Sequence, residues 1–571
     1  MTQPNAPVAD ALAELAALLR MRKGERFRVR AYERAARVLR ATPVDVSELT
    51  ESEIRRLEGI GAGIAGVVAE YLQTGSIAML EHLREAEPPG FGALLRLPLI
   101  GVRDARVLAR THGFTGLADL RTAAGAPDGL DTLGERLEVR VRESLRRVDA
   151  VASEGLPMPL ARREADSIAS SLAAIEGVAD VLVAGAVRRA VDLVDEFDLV
   201  VVGDEPAAVA AALPASRTVV RVLHQTEHRL RVASVAGRPA TLWVTRPAAR
   251  GAALLLATGS TAYVAGLHDR AAVRGYQLRY DGLWRGTTRL AGESEAEILG
   301  LLDVPVAPAE LREDAAALDS SVPLPVRVAD LRGDLHVHSD WSGDGKATIE
   351  QMVSAAAARG YAYVAMTDHA ENLSINGMSR TAVAARRRTI SHLQDRHQQI
   401  RILDGAELNI GLDGGIDYDT DFLLQFDITV ASIHSHMDRS TRQQTDRILD
   451  AIAHPAVHVI GHPSGRIIGH RPPYGIELQA IAQAAAETGT ALEVNGSPRR
   501  LDLSGEMVRV ALAEGATLAV SSDAHSIPEL DYVHNAVPTA RRGWATPAGV
   551  VNCGELDDLL AFVDRKKRRA T

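Results

Sequence analysis

The sequence predicts a multidomain chain with an all-α N-terminal region, an α+β middle and a C-terminal α/β domain of the βα-barrel kind. Three observations carry this. The 571 residues exceed what one hydrophobic core supports. Residues 8 to 41 and 100 to 150 read as helices, whereas the region from 160 to 250 holds β-rich runs such as Val181-Leu182-Val183 and Leu199-Val200-Val201. After residue 333, short β-rich runs alternate with Ala-rich helical stretches such as Ile349 to Arg359 and Ile476 to Glu487. Those runs repeatedly end in His, Asp or Glu, and a βα barrel gathers its active site at such strand ends.

Composition narrows the function classes. A net charge of -10 and a pI near 6.0 give no global basic field, so any nucleic-acid surface must be local. A single cysteine, Cys553, excludes an intramolecular disulfide and a thiolate-only zinc site, and fits a reducing cytoplasm. No stretch approaches the ~18 apolar residues that span a bilayer, and the N-terminus lacks a charged start followed by an apolar segment. A cytoplasmic protein without a membrane partner is expected.

In chain order, Arg20 to Arg40 carries nine Lys or Arg against Glu25 and Glu33. It precedes Leu57-Glu58-Gly59-Ile60-Gly61-Ala62-Gly63-Ile64-Ala65, a Gly-rich turn opening a helix. Such a turn can present backbone N–H groups to a phosphate. Gly59, Gly61 and Gly63, with Arg28 and Arg30 upstream, are the candidate DNA contacts. A second turn follows in Leu97-Pro98-Leu99-Ile100-Gly101-Val102, where Leu99 disfavours positive φ and should weaken the grip. Pro157 and Pro159 mark a boundary. In Glu196-Phe197-Asp198, strand alternation puts both carboxylates on one face, the arrangement two-metal nucleotidyl transfer uses. A Pro-rich stretch over 301 to 332 reads as a linker. The tail Arg565-Lys566-Lys567-Arg568-Arg569 reads as a solvated basic cluster.

The chemistry concentrates after residue 330, where 13 of the 18 histidines lie. His336 and His338 alternate on a strand, so both rings leave one face and can share a metal. Asp344, His369, Glu407, His434, His462, Asp523 and His525 each follow an apolar run or a Gly-rich turn. Mixed imidazole and carboxylate ligands point to two or three divalent ions, with Mn²⁺, Zn²⁺ or Fe²⁺ compatible by ligand softness.

Asp-Leu-His-Val-His-Ser, Thr-Asp-His, Gly-Ala-Glu, Ile-His-Ser, Gly-His-Pro and Ser-Asp-Ala-His occur in that order. Residues 330 to 570 thereby resemble a PHP (polymerase and histidinol phosphatase) domain. The resemblance implies a trinuclear site in a distorted βα barrel that hydrolyses phosphoesters. Its implied ligands are His336, His338, Asp344, His369, Glu407, His434, His462, Asp523 and His525, with Asp523, His525 and Glu407 taken as catalytic. Mn²⁺ is expected first among the metals. Arg500, in Pro498-Arg499-Arg500-Leu501, is the candidate phosphate contact.

The rest of the chain resembles a bacterial family X DNA polymerase. That implies a helix-hairpin-helix lyase-like domain over 1–88, helical fingers over 89–155 and a nucleotidyltransferase palm and thumb over 156–315. A linker over 316–332 and the PHP domain over 333–571 complete the expected division. The lyase lysine of the family is matched by Val67, which cannot form an imine. In the palm, Glu196 stands for an Asp, Thr241 for the third Asp and Ala186 for a phosphate-binding Ser, whereas Thr258-Gly259-Ser260 and Leu283 keep the pattern. A hydroxyl is a poor base and a weak ligand, so Mg²⁺ and polymerisation in this palm are expected to be impaired. The resemblance implies a 3′–5′ exonuclease on gapped or recessed DNA in repair, with abasic-site incision as an extension and a monomer as the state. The alternative keeps an active gap-filling polymerase in which Asp195 compensates.

Overall fold

The computed structural model describes residues 5–568 apart from 23, 98, 127–128, 153–154, 236, 320–321 and 374–376. Lys23, Pro98 and Arg569, part of the basic and hairpin stretches above, lie outside the described residues.

Helices Ala6–Arg20 and Arg26–Ala41 open the chain. Their apolar faces share one core with the helices that follow, through Leu12, Leu15, Leu39, Ile54, Leu94 and Leu108. Helix Glu51–Arg56 begins with a Thr50–Glu53 capping box, which satisfies two otherwise orphaned N–H groups. Gly59 then takes a left-handed φ of 80°, and Gly61 in extended conformation starts helix Ala62–Thr74. The second hairpin repeats this geometry. Leu99 adopts a φ of 64°, and the Ile100 N–H bonds Leu97 O at 3.3 Å, as Ile60 bonds Leu57 O at 3.0 Å. Gly101 (ψ 174°) matches Gly61 (ψ 174°) at the helix start. The hairpin backbone is thus kept at Leu99 although Leu disfavours this φ. Leu accepts the left-handed backbone at a cost of about 1–2 kcal/mol, offset by the buried Leu97 and Ile100 on either side.

This helical region docks on the palm. The Glu58 N–H donates to Val235 O at 2.6 Å, and Val220 and Ala233 of the palm sheet belong to the helical core. The palm sheet has five strands, ordered Asp180–Val183, Phe197–Val202, Pro239–Thr245, Arg229–Ser234, Val219–Gln225. Phe197–Val202 runs parallel to Pro239–Thr245 and the other neighbours are antiparallel. One face carries Phe197, Leu199, Val201, Leu230, Val232 and Leu242 against helix Met158–Ala173, and the alternate residues Val200 and Val202 are buried with Ala253 and Ala257, so the central strand is covered on both sides. Helices Arg250–Thr258 and Thr261–Val273 and a three-stranded antiparallel sheet form the thumb. The Pro-rich stretch is packed along it, with Ala307, Leu311, Ala317 and Leu318 in the thumb core.

The C-terminal domain is a parallel barrel of seven strands in sequence order. They are β1 (Gly333–Val337), β2 (Tyr363–Met366), β3 (Arg401–Asn409), β4 (Ile428–Ser432), β5 (Val459–Ile460), β6 (Ala491–Asn495) and β7 (Thr517–Ser521). Beyond β7 the chain closes on β1: Asp523 N–H donates to His336 O at 3.0 Å and His338 N–H to Ala524 O at 2.8 Å. Leu335, Tyr363, Leu403, Ile428, Val430 and Val459 fill the lumen, and Leu559, Phe562 and Val563 of the C-terminal helix plug its lower end. The basic tail is thus corrected in part. Lys566 is buried and donates to Thr490 Oγ1 at 2.6 Å, and Lys567 donates to Phe426 O at 2.6 Å. Their stems complete the plug while their charges meet oxygens at the barrel floor.

Candidate metal centre

The upper ends of the barrel strands bring all nine expected side chains into one cluster. Glu407, at 1% exposure, is its centre. One carboxylate oxygen lies 3.4 Å from His336 Nε2, 3.5 Å from His338 Nε2 and 2.8 Å from His369 Nδ1. The other lies 3.2 Å from His434 Nε2 and 3.1 Å from His462 Nε2. Asp523 Oδ1 sits 3.7 Å from His336 Nε2 and 3.4 Å from His338 Nε2. Asp344, exposed at the rim, reaches His369 Nε2 at 3.5 Å and His525 Nε2 at 3.6 Å. Three overlapping sets emerge among the described residues: His338–His369–His525, His336–His338–Glu407 and His369–Glu407–His434. Their ligand atoms lie within 4.8 Å of one another. His436, next to this cluster in sequence, is exposed and belongs to none of these sets.

Residues behind the cluster aim the rings. Glu493 Oε1 lies 2.7 Å from His336 Nδ1, Ser342 Oγ lies 3.1 Å from His338 Nδ1, and Asn409 Oδ1 lies 2.8 Å from His434 Nδ1. With Nδ1 engaged, Nε2 faces inward, the usual way of fixing a ligating imidazole. Asn495 Nδ2 bridges Glu493 Oε2 and Asp523 Oδ2, each at 3.1 Å. Glu493, Asn495, Asn409 and Ser342 were not among the expected site residues. Glu493 is an acid inside an apolar strand two positions before Asn495, and that alternation was their available signal.

Buried Nε2 atoms of His336 and His338 have no hydrogen-bond partner among the described residues, a role that a bound cation would fill. Burial, reinforced by His525 and His369, lowers the His338 pKa to about 3; burial, reinforced by Arg500, lowers that of His462 to about 4. Both rings are therefore neutral and ligand-competent near neutral pH. Burial alone would protonate Glu407, but the surrounding imidazoles, His434 first, hold it well below the ordinary carboxylate range. Burial likewise opposes a charged His369, yet Glu407 and Asp344 raise it to about 10. Neutral His338 and His462 beside ionised Glu407 offer lone pairs and charge to a divalent cation, and the carboxylates that hold a proton on His369 would exchange it for that cation, so the cluster is a divalent-metal site.

Arg500 borders this site. Its Nε is 3.4 Å from Asp523 Oδ2, and its buried Nη1 has no hydrogen-bond partner among the described residues.

The palm residues are also together. Asp198 and Thr241 are register partners, but Glu196 lies in the bend just before the strand Phe197–Val202, so the strand alternation expected to pair it with Asp198 is corrected. Glu196 is held by Arg231 at 2.9 Å, while Trp243 Nε1 donates to Asp198 Oδ1 at 3.2 Å. Burial, helped by Glu196, raises the Asp198 pKa to about 6. Asp195 is 83% exposed and nearest Arg238, at 3.9 Å. Arg188 forks onto Glu295 and Arg189 pairs with Glu313, tying palm to thumb.

In the hairpin region Gly61 and Gly63 are exposed, and a side chain there would meet nothing. Gly59 instead packs on Arg34. Arg30 is exposed, and Arg28 is 3.3 Å from Glu25. Val67 is half-buried against the helical core.

Fold and site together define a polymerase-like chain joined to a metal-binding PHP barrel. Family models agree: a helix-hairpin-helix domain matches residues 3–77, a DNA polymerase beta thumb 253–313 and a PHP domain 334–497. The DNA polymerase/3′–5′ exonuclease PolX of Bacillus subtilis (strain 168) is 31% identical, over 97% of this chain and 98% of its own. A probable phosphatase of Syntrophotalea carbinolica is 29% identical over 40% of this chain and 95% of its own. One of Shewanella sp. (strain MR-4) is 32% identical over 34% of this chain and 75% of its own. The chain belongs to the PolX family, family X DNA polymerases with a C-terminal PHP domain. Among the described residues no helix is long and apolar enough to cross a membrane.

Proposed function

We propose that this protein is a cytoplasmic DNA-repair phosphodiesterase, a 3′–5′ exonuclease whose polymerase site is impaired. The observation that carries the reading is the buried Glu407 ringed by five imidazoles, with the partnerless Nη1 of Arg500 beside it. We assign His336, His338, Asp344, His369, Glu407, His434, His462, Asp523 and His525 as ligands for up to three ions, Mn²⁺ before Zn²⁺ or Fe²⁺. Such ions bring the pKa of a coordinated water toward ~7 and neutralise phosphate oxygens.

The chain's own residues do the rest. Glu407 and Asp523 hold negative charge where the imidazoles converge, and His525 and Asp344 form the open rim through which a DNA end enters. Loss of Asp523, His525 or Glu407 stops turnover. Arg500 offers its free N–H groups to the scissile phosphate, a charge-assisted contact. The exposed N–H groups at Gly61 and Gly63, with Arg28 and Arg30, hold the DNA backbone without reading sequence. We further assign residues 1–88, 89–155, 156–315 and 333–571 as the functional modules, the chain as a monomer, and gapped or recessed duplexes as substrates. The B. subtilis relative carries both activities in its name; the palm geometry here favours the exonuclease alone.

The test is purified protein with end-labelled gapped and recessed duplexes and Mn²⁺, with and without dNTPs. Stepwise shortening from the 3′ end that dNTPs do not reverse is expected. Extension without shortening would reject the reading.

A further inference from the structure

The palm touches the barrel beside the metal centre, on the loop that carries Arg500. Arg466 follows the ligand His462 on the barrel. Its Nε donates to Arg500 O at 2.6 Å, and its Nη2 donates to Leu501 O. The same Nη2 meets Asp192 Oδ2 of the palm at 2.7 Å, with both side chains nearly covered, at 14% and 13% exposure. The other oxygen of Asp192 is buried without a hydrogen-bond partner among the described residues, so its charge is committed to Arg466. Apolar packing seals the joint: Met158 and Ala190 of the palm are buried with Ile468 and Leu501 of the barrel.

We infer that Asp192 and Arg466 are a positioning pair through which the palm holds the barrel's phosphate-binding loop. The inference rests on Arg500 contacting the scissile phosphate, as read above. The carbonyls of residues 500 and 501 need donors, because the loop around them leaves regular structure and Leu501 takes a φ of 46°. One guanidinium supplies both, and it stays in place only while its own charge is balanced in this dry joint. Remove the Asp192 charge and the guanidinium turns toward water. The loop then loses two hydrogen bonds, and Arg500 loses its aim at the metal centre. On this reading the palm serves phosphodiester hydrolysis even where it has lost nucleotide transfer. Asp192 acts on the reaction only through Arg466 and the loop.

The experiment uses the full chain as Asp192→Asn, Asp192→Glu, Arg500→Ala and Asp192→Asn/Arg500→Ala. Each is assayed with Mn²⁺ on labelled recessed duplex and on bis(p-nitrophenyl) phosphate, with bound metal measured alongside. Asp192→Asn is expected to cost on the order of 10-fold in kcat/KM on DNA with bound metal unchanged, and Asp192→Glu to recover most of it. In the Arg500→Ala background Asp192→Asn should cost nothing more, since coupled groups fail to add. Wild-type rates in Asp192→Asn, or losses that simply add, would overturn the pairing. If the wild-type chain hydrolyses neither substrate, the functional reading fails instead, and amide exchange over 497–503 decides the pairing alone. Faster exchange in Asp192→Asn upholds the clamp, and unchanged exchange overturns it.

Discussion

Asp198 and Thr241 stand opposite each other on adjacent parallel strands of the palm, so their side chains leave one face of the sheet. Where two-metal transfer needs a carboxylate beside Asp198, a neutral hydroxyl is present. The neighbouring ligand position is altered too, since Glu196 is drawn onto Arg231.

dNTP incorporation on a gapped primer should therefore be near background. Thr241→Asp combined with Glu196→Asp should raise it, because the added carboxylate enters beside Asp198. Primer extension with Mg²⁺ or Mn²⁺ checks this. Efficient extension by the unmodified chain, abolished by Asp198→Ala, would refute it.

Asp523→Asn keeps the side-chain shape and removes an anion that lies 3.4 Å from His338 Nε2. Bound metal and DNA hydrolysis should both fall, hydrolysis by at least ~100-fold. Metal analysis and a 3′-end assay on the same preparation read the two effects. Undiminished hydrolysis would show that the cluster is not the reaction centre.

Val67 lies where a Schiff-base lysine is expected and is half-buried against apolar neighbours. Borohydride should trap no adduct with incised abasic DNA. An adduct located by peptide mapping would mean that another amine does this chemistry.

Glu164 links pH to stability away from the metal centre. Burial first, then the Glu58 charge, raises its pKa from the ordinary 4.5 to about 7. The folded chain thus keeps a proton that the unfolded chain releases between these values. This group's contribution is full below pH 4.5 and is lost as pH rises to about 7. Glu164→Gln should raise the melting temperature more at pH 8 than at pH 5. An equal gain at both would remove Glu164 as the cause.

The barrel was legible in the sequence because each strand announces its end. An apolar run such as Ile428 to Ile433 stops at His434, and position along the strand fixes which way the ring faces. Glu493 stayed hidden because its role depends on β6 lying beside β5, which puts Glu493 Oε2 2.6 Å from the His462 N–H; no local pattern encodes that. The tail was misread for a similar reason. Lys566 looks solvated in sequence, and only the closed barrel supplies Thr490 as its partner. At Leu99 the left-handed φ could not be read from propensity, because tertiary burial of Leu97 and Ile100 outweighs a local backbone preference.

The seam joining the first and last barrel strands runs through the metal-site residues themselves, by Asp523 N–H to His336 O and His338 N–H to Ala524 O. These partners are far apart in the chain, so closing the seam costs loop entropy that local contacts do not. A cation gripping His336, His338 and Asp523 would act as a clasp on that loop. Its binding energy would appear as slower opening of the barrel, because whatever binds only the closed form stabilises it. Metal supply would then set how long the domain survives proteases as well as how fast it cuts.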